Sequence, residues 1–249
     1  MLQWEQETKQ AVWYGELALL TAVLINSLGV VLMLYSGGGI SAISSVPYAF
    51  SEVFPALSLG TWTYIFQGIL ILSLLLLRRK LVFPYLFSFL VGFVFSQLLD
   101  FYELWVDLLP DGLLWRICYF ILSYLIISFG IALSNRCGLP IIPTDLFPRE
   151  LSLITHVSYP KIKISFDVIC LCVTAGMTLV FLGYVKGLGI GTVLAAFTMG
   201  KAVGIIGNCL DRHFRFTLFS ARFFGHKAGK DERPDQTGSS PEAPEGHGV

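Results

Sequence analysis

The chain has 249 residues, of which 55% are hydrophobic and only 14% charged, against roughly 25% charged in a soluble domain. Mean hydropathy is +0.70, and several uncharged apolar runs reach the roughly 20 residues that cross the hydrocarbon of a bilayer. This excludes a soluble globular domain and gives the fold class: an all-α, polytopic membrane protein in the lipid bilayer. Basic and acidic residues balance to a formal net charge of zero, and nothing in that balance points to nucleic acid.

Residues 1–11 form a polar N-terminus. Met1-Leu2-Gln3-Trp4-Glu5 lacks the positive start and the cleavage site of a signal peptide, so the first apolar run is expected to stay as a span over residues 12–35. That span carries Glu16 near its start and Asn26 near its centre. The glycine-rich break Gly37-Gly38-Gly39 follows, then a short apolar stretch over 46–54 beginning Val46-Pro47. Too short to cross, it is expected to be a half-helix, re-entrant or interfacial. Spans are expected over 62–77 and 81–99, joined by Arg78-Arg79-Lys80, and a fourth over 113–133. A second break, from Asn135 through Gly138 and Pro140 to Asp145, leads into another short stretch over 147–155 beginning Phe147-Pro148. The last two spans are expected over 164–184 and 189–209. Residues 212–227 mix Arg and Phe in the manner of a basic amphipathic helix on the membrane surface. Residues 228–249 are polar, rich in Pro and Gly, and expected to be disordered.

Lys and Arg favour the cytoplasmic side. Placing Arg78, Arg79 and Lys80 inside puts both termini inside. Arg136, Arg149, Lys161 and Lys163 then also fall inside, leaving Arg116 and Lys186 on the opposite side. The chain also repeats itself. Leu24-Ile25-Asn26-Ser27-Leu28-Gly29 lines up with Leu125-Ile126-Ile127-Ser128-Phe129-Gly130, and the same offset pairs Gly37 with Gly138 and Pro47 with Pro148. A small shift pairs Phe66-Gln67 with Phe166-Asp167. Each unit, 12–101 and 112–211, holds three spans and one broken segment. An odd number of spans inverts the second unit, the plan of many secondary transporters.

Several segments resemble the YczE/YyaS/YitT-type bacterial integral membrane proteins: Gly29-Val30-Val31-Leu32-Met33, Ser44-Ser45-Val46-Pro47 and Ser58-Leu59-Gly60-Thr61-Trp62 in the first half, and Pro143-Thr144-Asp145 and Gly187-Leu188-Gly189-Ile190-Gly191-Thr192 in the second. Members often carry Gly-Pro-Trp-Asp in the first break, where this chain reads Ile43-Ser44-Ser45-Val46 and has no acid. The resemblance implies a multi-pass protein of the bacterial plasma membrane, and a topology rather than an activity.

Ionisable groups inside spans are costly and mark candidate sites. Lys201 lies within the sixth span, where its charge would cost roughly 3 kcal/mol at the hydrocarbon centre. About eight residues, or about 12 Å, separate it from the cytoplasmic end, so it is expected to pair with Asp167 of the fifth span. Asp145 sits where the second broken segment begins, either capping the half-helix or lining a site at its N-terminus. Ser44 and Ser45 hold the equivalent place in the first half, and Asn26 adds an amide. No metal or cofactor is expected. The five cysteines sit in apolar segments or at their ends, and His156 and His213 lie in no ligand spacing. Gly187-x-Gly189-x-Gly191 opens a membrane helix and reads as close packing, not a nucleotide loop. With no acid–base constellation, an enzyme is disfavoured. Two readings remain: a transporter-like protein for a small polar or anionic solute, or a non-transporting accessory partner of another membrane complex, docking through its basic aromatic tail.

Overall fold

A computed structural model describes residues 11–79 and 83–217. In chain order the elements are β1 (Ala11–Tyr14), α1 (Gly15–Tyr35), α2 (Ala42–Val53), α3 (Leu59–Arg78), α4 (Phe83–Val106), α5 (Leu113–Ser134), α6 (Pro143–Thr155), α7 (Tyr159–Leu182), α8 (Ile190–His213) and β2 (Phe214–Thr217). Six helices, α1, α3, α4, α5, α7 and α8, are long and apolar enough to span a membrane, and α2 and α6 are the short broken segments. The protein is a six-span polytopic membrane protein. Helices are the form such spans must take, because hydrocarbon offers no partner to a free backbone N–H or C=O.

The side chains are sorted for lipid rather than for water. On α3 the exposed positions Ile65, Ile69, Leu72 and Leu76 make one aliphatic stripe at helical spacing, while Thr63 and Gln67 are buried with Leu70, Ile71 and Leu74. Thr63 and Gln67 thus turn inward, and the outward face is mostly aliphatic; Ser73, exposed there, satisfies its hydroxyl by donating to Ile69 O.

The helix contacts are consistent with an internal repeat. Exchanging α1 with α5, α2 with α6, α3 with α7 and α4 with α8 maps the principal helix contacts onto one another. The α1–α5 contact maps onto itself, α1–α4 onto α5–α8, α2–α7 onto α3–α6, α3–α4 onto α7–α8, α2–α3 onto α6–α7, and α2–α8 onto α4–α6. At the centre α1 crosses α5 through Gly29 and Gly130. A Cβ on Gly29 would lie 2.7 Å from Ile127 Cγ1, and one on Gly130 would lie 2.6 Å from Asn26 Cγ. Each glycine receives the side chain that stands in the other helix at its partner's equivalent position.

Three features differ from the sequence reading. Both short helices begin about one turn before their prolines, so Pro47 and Pro148 each stand sixth in their helix rather than at its start. Proline there removes one hydrogen-bond donor, at the same place in both halves. Helix α7 starts at Tyr159, which draws Lys163 out of the expected loop and into the bundle. Residues Phe214–Thr217, expected as surface helix, form a strand pairing in parallel with β1, and Trp13 packs against Phe214 and Phe216. The alternation Phe-Arg-Phe-Thr has a strand's period of two. The rest of the expected surface helix and tail lies outside the described residues.

The Gly187–Gly191 pattern is backbone packing. Gly191 N–H donates to Gly38 O at 3.1 Å, and Ile40 N–H donates to Gly187 O at 3.2 Å. Gly39 has φ +112°, and a Cβ there would meet Thr192 Oγ1 and lie 2.7 Å from Gly189 N. Gly39→Ala is therefore expected to lose several kcal/mol, roughly 1–3 from the backbone alone, and to fall out of the folded fraction in size-exclusion chromatography. Gly176→Ala, in a helix with nothing within 4 Å, should unfold at the wild-type temperature or above. Equal behaviour of the two variants would contradict this contact.

Candidate functional site

Helices α2 and α6 both begin inside the bundle, and their N-termini face one small cavity of about 40 Å³. Ser41 caps α2: its hydroxyl accepts from Ser44 N–H at 3.4 Å and donates to Ser44 Oγ at 2.9 Å. Helix α6 has Pro143 in its first turn, where a missing N–H costs nothing. Its N-cap residue is Ile142, with no side-chain cap bond. Asp145 is the third residue of α6, so it is not the cap; it is the counterpart of Ser44, third in α2. The first backbone N–H groups of a helix have no partner within it, so both half-helices turn donors and a positive dipole end toward the cavity.

Four of the six candidate residues, Asn26, Ser44, Asp145 and Asp167, line this cavity. Asn26, from the centre of α1, is 4% exposed, and neither of its amide atoms has a hydrogen-bond partner. Ser45 turns away: its hydroxyl donates to Ala42 O and bonds Thr174 Oγ1 of α7 at 2.8 Å, tying helix to helix. Lys201 is exposed on the outer face of α8, between Phe197 and Ile205. The expected Asp167–Lys201 pair is not formed. Asp167 instead accepts two hydrogen bonds from Lys163, at 2.7 and 2.8 Å. Lys163 lies one turn earlier on the same helix face, where residues four apart meet, and both groups are buried. Lys163, Ser41 and Thr144 also line the cavity and escaped the sequence reading. The signal for Lys163 was its four-residue spacing from Asp167, masked by starting the helix too late.

The Asp145 carboxylate receives no hydrogen bond from a described side chain. Burial pushes its pKa up to about 6, against the attraction of the Lys163 ammonium and with added repulsion from Asp167.

Each half-helix is fastened at its far end. Glu150 of α6 accepts from Arg78 at the end of α3 and from Tyr85 Oη of α4, both at 2.6 Å. Glu52 of α2 pairs with Lys186 in the α7–α8 connection. Each pair joins the broken helix of one unit to the hairpin end of the other.

Taken together, these features define a polytopic membrane protein with paired half-helices converging on a buried polar cavity. The chain belongs to the family of unknown function DUF6198, whose model matches residues 13–208. No curated protein and no solved structure matches it.

Replacing Lys163 by Met would leave Asp167 buried without its counter-charge, which is expected to cost about 3–5 kcal/mol. Lys163→Met combined with Asp167→Asn should recover much of that loss in thermal unfolding of the purified protein. Wild-type stability in the single variant would mean that Asp167 has water or another partner.

Proposed function

We propose that this is a transporter-like protein, passing a small polar or anionic solute through the cavity where the two half-helices meet. The observation that carries the reading is the convergence of two helix N-termini, one from each repeat unit, on a cavity that also holds an unpartnered buried amide, Asn26. Unsatisfied buried polar groups cost stability, and Asn26, unlike the equally unpartnered Gln67, lies against the cavity that both helix starts face.

On this reading the two units are inverted, since each contributes three spans, and the half-helices leave the cavity toward opposite faces of the membrane. This is the geometry in which a central site can be opened from either side. The topology with both termini cytoplasmic fits the same reading. The two basic residues that offended it, Arg116 and Lys186, are each neutralised by a neighbouring acid, Asp111 and Glu52. The resemblance to YczE/YitT-type bacterial membrane proteins supports a plasma-membrane location.

A second reading, an accessory partner in a membrane complex, draws on the outer face of α8. Lys201 is exposed there at mid-helix, beside Gly204 and Asn208, and an added Cβ at Gly200 or Gly204 would meet nothing within 4 Å. Small residues at this spacing favour helix association in lipid.

The two readings separate on one set of variants. A solute found by screening the thermal stability of the purified protein, present at about 100 times its Kd, should stabilise by about 2.7 kcal/mol. Asn26→Ala and Asp145→Ala are expected to abolish that shift and solute flux into proteoliposomes, while Lys201→Ala keeps both. Loss of function in Lys201→Ala alone, with the cavity variants active, would favour the accessory role.

A further inference from the structure

The charge around the cavity narrows what it can hold, an inference that rests on reading the cavity as a solute site. Lys163 contributes one positive charge, and Asp167 and Asp145 one negative charge each when ionised. The two helix N-termini contribute roughly half a positive charge apiece. With Asp145 ionised the wall is close to neutral, and its own carboxylate sits in the positive field of α6. With Asp145 protonated, the wall carries about one net positive charge and a set of unfilled donors. These are Asn26 Nδ2, buried and unpartnered along with Oδ1 of the same amide, and at the helix starts the N–H groups of Ala42, Ile43 and Thr144, since Pro143 has no N–H, Ser44 N–H is capped by Ser41 and Asp145 N–H bonds Ile142 O.

Asp145, rather than Asp167, is the group free to change its charge. Both Asp167 oxygens are held by Lys163, and that ammonium is therefore committed. The ionisable groups about Asp145 are Lys163, Asp167 and Tyr159 on α7, with Arg149 one turn further along α6. Helix α1 presents Asn26, and α2 presents Ser41 and Ser44. From α4, α5 and α8 the lining is apolar, with Phe95, Ile131 and Met199. A cavity of about 40 Å³ has room for about three water-sized particles. That favours a halide or a planar oxyanion of three or four heavy atoms over a larger organic solute.

We propose that the cavity takes up one small monovalent anion together with one proton, and that Asp145 carries the proton. The anion brings one negative charge and the proton one positive charge, so the wall returns to the balance it had with Asp145 ionised and the cavity empty. The upward shift of the Asp145 carboxyl agrees with this but is not needed for it.

The test uses the full-length protein in detergent, with nitrate, formate, chloride and fluoride as probes and gluconate as the control at equal ionic strength. At least one probe should stabilise the protein saturably at pH 5. Its apparent Kd should rise between pH 5 and pH 8, approaching tenfold per pH unit once the pH is above the pKa of Asp145, the linkage expected for uptake of one proton. Adding the anion to weakly buffered protein at pH 7 should draw up to one proton per site from solution. Asp145→Asn should bind with the same affinity at both pH values. Asn26→Ala should weaken binding at every pH without moving the pH dependence. Should Asp145→Asn not fold, the wild-type pH series and the proton uptake still decide the matter.

Stabilisation that depends on the cation and grows with pH would overturn the proposal, as would anion binding without proton uptake. An organic solute that binds where no small anion does would overturn it while leaving the solute-site reading intact. Failure of every probe and of the wider solute screen would remove both.

Discussion

Everything in this structure is arranged around two helices that start in the wrong place. A helix N-terminus carries free N–H groups, and inside a membrane no water is at hand to satisfy them. Helices α2 and α6 both begin in the interior, so the bundle has to surround them. Spans α1 and α5 cross at the centre through glycines, and the remaining spans close around the half-helix starts. Sheltering two such starts next to each other, rather than letting each find a separate partner, concentrates donors and positive potential at one point. The side chains there answer that field: a carboxylate on α6, hydroxyls on α2, an amide on α1, and an ion pair on α7.

The two halves share a backbone plan but divide the chemistry unequally. Ser44 of α2 stands where Asp145 stands in α6, and Thr63 and Gln67 of α3 stand near the places of Lys163 and Asp167 in α7. Gln67 is fully buried with both amide atoms unpartnered, the neutral counterpart of Asp167. The charged groups of the cavity therefore all come from the second unit, while the unpartnered amide, Asn26, comes from the first. The cavity has two distinguishable walls, one bearing the carboxylates and the ammonium and one bearing only neutral hydrogen-bonding groups.

Much of the fold was legible in the sequence because membrane spans declare themselves by composition, and because clusters of glycine, serine and proline mark the two breaks between them. The six spans, the two short segments and the internal repeat all follow from those signals. The losses have local causes. A proline after a break reads as a helix start, although it can stand in the sixth position when its missing donor is tolerated. Lys163, by its charge, reads as part of a loop, which hides its one-turn spacing from Asp167 and leaves Lys201 as the apparent partner. Periodicity corrects that choice: Met199 and Val203 of α8 face inward, and Lys201 between them points out. Four of the six candidate site residues reach the cavity because they lie beside the breaks or at the centre of a span. Ser45 does not, since one step along a helix turns a side chain by about 100°.

The ends of the half-helices bear on how the cavity could be reached. Glu150 ties α6 to the α3–α4 hairpin, and Glu52 ties α2 to the α7–α8 connection. Both ties run from one unit to the other, so a motion that parts the units at either end has to break the ion pair there. The two ties are built alike. Glu150 lies beside Tyr85 as well as Arg78, and Glu52 lies beside Tyr48 as well as Lys186. The Glu150 carboxylate is the more buried of the two, while the bases, Arg78 and Lys186, are about equally open to solvent. The far end of each short helix is thus closed by the same grouping of an acid, a base and a tyrosine, so the near-symmetry of the packing extends to the two ties.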